Sequence, residues 1–211
     1  MDKIYEDFIK TFHRENLMIE NQSQTFMDFF PNISKDFSTY NENEISITKL
    51  KNGKFFISNG ASKGFFLERN TDIEIISAVS EEYRKIQKSV GKVTDLFGFT
   101  NRYFENIIEL FSNDKDSIGL GDFTAEFLGR TNNERIIGEI NIDNLFTIAY
   151  EANGNRIVLN KNNCIYIYGH DLATHHYQKI NGIPDNTFYT IPQINSLNDF
   201  VEAFWNDFFT K

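Results

Sequence analysis

The sequence is short of several things, and each shortage narrows the reading. It has one cysteine, Cys164, so no internal disulfide can form. Three prolines in 211 residues leave no Pro-rich linker to divide the chain. No apolar run approaches the ~18 residues of a membrane-spanning helix. Lys and Arg number 21 against 30 Asp and Glu, a net charge of −9, with no basic cluster or stripe. Nucleic acid is therefore excluded as the expected partner, because its binding draws on phosphate neutralisation. The opening MDKIYEDFIKTF alternates charged and apolar residues and lacks the apolar core of a signal peptide. The expected location is cytoplasmic, with no membrane association.

What is abundant is phenylalanine, at 22 residues, and asparagine, clustered as NGN, NKNN and TNN between apolar runs. The first can fill a core. The second marks tight turns, since Asn tolerates left-handed backbone angles and bonds its own backbone. Over 2–18, Ile4, Tyr5, Phe8, Ile9 and Phe12 fall at helical spacing. EISITKL, KFFIS and KGFFLE, split by Asn52-Gly53 and Asn59-Gly60, predict a β-meander over 44–77 that ends in TDIEIISAV. Ser80 opens a helix through SEEYRKIQKSV, acids first and bases later, and Gly91 closes it. A second helix is predicted over 101–112, with Phe104, Ile107, Ile108 and Phe111 on one face. Residues 113–135 are polar and Gly-rich with little periodicity, and 169–187 read as a loop. IIGEI, LFTIAYE, RIVLN and CIYIY predict a second meander. The closing SLNDFVEAFWNDFF predicts a helix capped by Ser196 with Asp199 three residues on, its Phe200, Phe204, Trp205 and Phe208 facing the sheet. The fold class expected is α+β: one antiparallel sheet or two linked meanders, covered by helices, in a single domain over 1–211, with residues 1–80 a candidate β-rich subdomain.

Candidate chemistry is sparse. Three of the four histidines fall in GHDLATHH, as His170, His175 and His176, beside Asp171. Five helical residues turn about 500°, which leaves His170 and His175 about 140° apart, and on a strand they point to opposite faces. Only a loop could gather them on a metal, and ordinary loop hydrogen bonding is the favoured reading. Strand alternation puts Cys164, Tyr166 and Tyr168 on one face and Ile165 and Ile167 on the other, with no paired base to activate the thiol. Gly119-Leu120-Gly121-Asp122 lacks dinucleotide-loop spacing and the lysine of a phosphate loop. One feature remains. Glu105, Glu109, Asp114, Asp116, Asp122 and Glu126 stand against Lys115 alone over 103–129. Such a run is most often a solvated surface; its functional reading is a patch for a basic protein partner.

The last third, LFTIAYEANGNRIVLNKNNCIYIYGHD followed after a loop by INSLNDFVEAFW, resembles the C-terminal half of the SUKH superfamily. That family includes bacterial immunity proteins and relatives of fungal glucan-synthesis regulators. The pattern shared is an apolar strand, a Gly-containing turn at Asn153-Gly154-Asn155, a second strand, a third ending in the His170-Asp171 pair, a polar loop and a closing helix with Phe200 and Phe204. The family's early Leu-Pro segment has no clear counterpart. The resemblance implies a non-enzymatic protein that neutralises a toxin by binding it, with no cofactor and no metal, the HD pair being a recurrent strand-end feature. The acidic patch is the expected contact for a basic toxin domain. The alternatives are a metal-dependent hydrolase using His170, Asp171, His175 and His176, and a regulatory interaction protein.

Overall fold

The computed structural model describes residues 20–21, 46–49, 54–58, 63–68, 79–89, 91–97, 107–111, 117–169 and 177–209. Its strands are β1 (Glu20–Asn21), β2 (Ser46–Lys49), β3 (Phe55–Ser58), β4 (Gly64–Glu68), β5 (Lys92–Phe97), β6 (Ile107–Leu110), β7 (Ile136–Ile137), β8 (Ile140–Asn141), β9 (Leu145–Glu151), β10 (Arg156–Asn160), β11 (Ile165–Tyr168), β12 (Gln178–Lys179) and β13 (Phe188–Thr190). Its helices are α1 (Glu81–Ser89), α2 (Thr124–Arg130) and α3 (Leu197–Phe209). The fold is α+β. Eleven strands form one sheet in the order β1-β2-β3-β4-β5-β6-β9-β10-β11-β13-β12, every neighbouring pair antiparallel, while β7 and β8 pair on their own. The two expected meanders are thus one sheet, joined where β6 pairs with β9.

Both faces of this sheet are read directly from its register, because cross-strand partners share a face. Phe55, Leu67, Val93, Leu110, Ala149, Ile157, Ile167 and Tyr189 run side by side across eight strands. Their face is the inner one, and α1 and α3 cover it: Tyr83 of α1 and Leu197, Phe200, Phe204, Trp205 and Phe208 of α3 join the same core. Phe65 meets Phe204, Trp205 and Phe208 with ring centroids at 5.8, 6.0 and 5.2 Å, all edge-to-face. A buried large apolar side chain contributes about 1.5–3 kcal/mol, so this cluster is the main source of cohesion. The helix ends are set by local chemistry. Ser80 Oγ accepts from Tyr83 N–H at 3.2 Å, and Gly91, at φ +84°, ends the α1 segment by donating its N–H to Gln87 O at 2.9 Å. At α3 the box closes in both directions: Asp199 N–H donates to Ser196 Oγ at 3.2 Å, and Ser196 N–H donates to Asp199 Oδ2 at 2.9 Å. Lys63, buried just before β4, pairs with Asp207 of α3 at 3.4 Å.

Several expectations are corrected. Residues 107–110 of the helix predicted over 101–112 are strand β6, inserted between β5 and β9. A bulge explains the misreading. Ile107 pairs with Glu151, Glu109 with Tyr150 and Leu110 with Ala149, so Ile108 is the extra residue and is 52% exposed. The bulge puts Ile107 and Leu110 three positions apart on one face, which imitates helical spacing. Phe111 then breaks the alternation again, at φ +55° and fully buried, a conformation a bulky residue seldom adopts. Residues 113–135, which show little periodicity, contain α2, and 169–187, read as a loop, contain the short strand β12. IIGEI is no long strand but the tight β7–β8 hairpin. Strands β5 and β13 were not anticipated. The predicted helix over 2–18 and most of TDIEIISAV lie outside the described residues. Among the described residues no helix is long and apolar enough to cross a membrane.

Candidate interaction site

Of the six acids in the predicted patch, Glu105, Asp114 and Asp116 lie outside the described residues, and the other three occupy different elements. Glu109 is on β6 and pairs with Lys92 of β5 at 2.8 Å, both side chains largely covered. Asp122 is exposed on the 3-10 turn Gly121–Phe123 that leads into α2. Glu126, one turn into α2, accepts from Arg130 at 2.7 Å, the i,i+4 spacing of a helix ion pair. Asp122 and Glu126 therefore belong to one segment, and Glu109 to the sheet. His170, Asp171, His175 and His176 all lie outside the described residues. Among the described residues no three His, Cys, Asp or Glu side chains converge as a metal site. Cys164 carries a free, half-buried thiol whose Sγ lies 4.0 Å from Asn162 O, and its backbone forms an isolated antiparallel bridge with that of Ser196. The alternation predicted for β11 holds: Ile165 and Ile167 enter the inner core, Tyr166 and Tyr168 the opposite one.

That opposite face is chemically different. Its row, offset by one residue from the inner row, reads Phe56, Phe66, Thr94, Glu109, Tyr150, Arg156, Tyr168, Phe188. Over β9–β13 it is covered by residues 117–144, whose Leu120, Phe127, Ile137, Ile140 and Ile142 pack on Leu145, Val158, Tyr168 and Phe188. The turn between β9 and β10 holds the row in place. Gly154 takes φ +93°, which favours glycine, and Asn155 N–H donates to Asn153 Oδ1 at 3.1 Å. Asn155 Nδ2 then donates to the buried Glu151 at 2.9 Å, and Tyr177 Oη donates to the same carboxylate at 2.6 Å.

At the centre of the row is Arg156. Its guanidinium carbon lies over the Phe123 ring at 4.9 Å and over the Tyr150 ring at 5.1 Å, within cation–π range. Ser117, buried, sits with its Oγ 3.4 Å from Tyr150 Oη. Tyr168 Oη donates to Glu126 Oε1 at 3.4 Å. Burial first, then the Glu126 carboxylate, push the Tyr168 phenol far above its usual range, so it stays a neutral donor. Sequence reasoning did not find this group. The available signal was RIVLN itself: apolar residues on both alternating faces imply a strand buried on both sides, and therefore an arginine covered with it. No family model matches the chain, and neither the curated proteins nor the solved structures compared with it contain a match.

Proposed function

We propose that the chain is a non-enzymatic protein-binding module of the immunity type, which neutralises a bacterial toxin by covering the toxin's working surface in the cytoplasm. The observation that carries this reading is the order of elements over 145–209. An apolar strand, the Asn153-Gly154-Asn155 turn and two further antiparallel strands come in the order of the SUKH-like sequence pattern, and a capped helix closes the segment after the short strands β12 and β13. The net charge of −9 supports a basic partner, for which complementary charge speeds encounter and fixes orientation. Asp122 is the exposed acid best placed for that role among the described members of the patch, since Glu109 and Glu126 already carry cationic neighbours.

Co-expression with the toxin domains encoded beside it is the direct experiment. Protection, together with co-purification of a complex, is expected. Asp122→Lys should then slow association several-fold at low salt and leave dissociation nearly unchanged, as substitutions of rim charges do. Unimpeded killing by every adjacent toxin domain, with the protein folded and abundant, overturns the reading.

A further inference from the structure

Arg156 is 8% exposed, and its Nε and Nη1 are buried with no hydrogen-bond partner. An arginine cannot shed its proton, so burial leaves it with a charge and a planar set of donors to satisfy. Among the described residues no carboxylate pairs with it. The acid in the same cross-strand row, Glu109, is paired with Lys92 at 2.8 Å. Glu126 faces Arg130 and the Tyr168 hydroxyl. The two rings near the guanidinium attract its charge, and its Nε and Nη1 remain without a hydrogen-bond acceptor. Phe123 and Tyr150 are both only half-buried, so the site meets solvent along their rims.

We infer that Arg156, held against Phe123 and Tyr150, is the anion-binding centre of a site for a monocarboxylate with an apolar or aromatic body. Three considerations select that class. A carboxylate is planar and takes two parallel N–H bonds from a guanidinium, whose Nε and Nη1 are the donors left without a partner. Its single negative charge matches the single positive charge of Arg156, whereas a phosphate dianion would leave one charge uncompensated beside a buried guanidinium. The half-buried rings offer apolar contact to whatever carries the carboxyl group. This inference stands independently of the immunity reading. The carboxyl could come from a free organic acid or from the C-terminus of a polypeptide, and the two sources are separable.

The test uses the full chain, labelled so that arginine Nε–H resonances are visible, with the Arg156 signal identified by its absence in R156K. Sodium benzoate, N-acetyl-Leu-Phe as the free acid, the same dipeptide as its amide, and inorganic phosphate are titrated separately. Benzoate and the free-acid dipeptide should each move the Arg156 resonance saturably. Phosphate and the amide should need at least tenfold higher concentration for the same shift, and R156M should bind the two acids at least tenfold more weakly. A preference for benzoate assigns the site to free acids, and a preference for the dipeptide assigns it to chain ends. An unmoved Arg156 resonance with both acids overturns the inference, as does phosphate acting at equal concentration or R156K binding the acids as well as the wild type. The wild-type resonance alone decides the matter if R156M does not fold.

Discussion

Two adjacent rows of the same sheet, one residue out of step, have been given opposite jobs. The inner row, Phe55 to Tyr189 across eight strands, is aliphatic or aromatic at every position and lies under α1 and α3. The outer row begins and ends with phenylalanine but carries Thr94, Glu109 and Arg156 between. Period-two geometry makes this division possible, since neighbouring residues on a strand can meet wholly different surroundings. The inner row makes the sheet cohere. The outer row keeps ionisable groups in a covered setting, which costs stability unless something pairs with them.

The largest effect belongs to the inner face. Phe65→Ala removes a ring that contacts three others at 5.2 to 6.0 Å, and should cost about 3–5 kcal/mol in chemical denaturation. A loss below ~1 kcal/mol would mean that α3 contributes little to the inner core, and the contrast between the faces would collapse.

Next comes the cap that fixes α3 on that face. Ser196→Ala should cost about 1 kcal/mol, the usual value of a side-chain N-cap. Partial burial raises the Asp199 pKa, but hydrogen bonds from Asn195 and Ser196 outweigh it, and the carboxyl titrates below its ordinary value of 3.8. A carboxyl depressed by folding stabilises the native state above its unfolded pKa, and that contribution is lost as the pH falls through its folded pKa. The stability difference between wild type and Asp199→Asn should therefore be full near neutrality and shrink below about pH 4. A difference that stays constant down to about pH 2 would show that Asp199 is not held ionised by the cap.

How much of this could be read in the sequence follows from how local each cause is. The α3 cap is written in four consecutive residues, and the turn at Gly154 in three, so both were predictable. The alternation of CIYIY also survives folding unchanged, because β11 carries no bulge. Strand β6 was misread because its bulge at Ile108 is a matter of partners, and the partners β5 and β9 are far apart in sequence. Helix α2 was missed because it is seven residues long, buries Phe127 alone and carries Gly129 near its end, which leaves little periodicity to detect. Arg156 was missed for a related reason. Its cover, Phe123, comes from a segment that shows little periodicity, and nothing in RIVLN says what will lie over the strand.

The outer face should answer with the opposite sign. Arg156→Met keeps an unbranched apolar stem, which ends near the position of Nε, and removes the buried charge beside Phe123 and Tyr150. Lost cation–π attraction and relieved desolvation oppose each other, and the unfolding free energy from urea titration should rise or stay within about 1 kcal/mol of wild type. Loss of more than ~2 kcal/mol would mean that the guanidinium is a structural keystone, and that the outer row differs from the inner only in its residue types.

The smallest effect tests whether charge on the outer cover matters to folding at all. Arg135 and Asp143 flank the β7–β8 hairpin and meet in a forked pair, with Arg135 Nε donating to Asp143 Oδ2 at 2.9 Å. The Arg135 bond holds the Asp143 carboxyl below its usual range, but the side chains are 48% and 51% exposed. Water and salt screen a pair in that position, and ordering two side chains offsets much of what remains. The backbone turn there has its own support, since Asp143 N–H donates to Asn141 Oδ1 at 3.0 Å and needs no carboxylate. Asp143→Asn should accordingly leave the unfolding midpoint unchanged at physiological salt. A measurable drop that disappears in high salt would mean that the 117–144 cover is held electrostatically, and the outer face would then owe its order to charge where the inner owes it to packing.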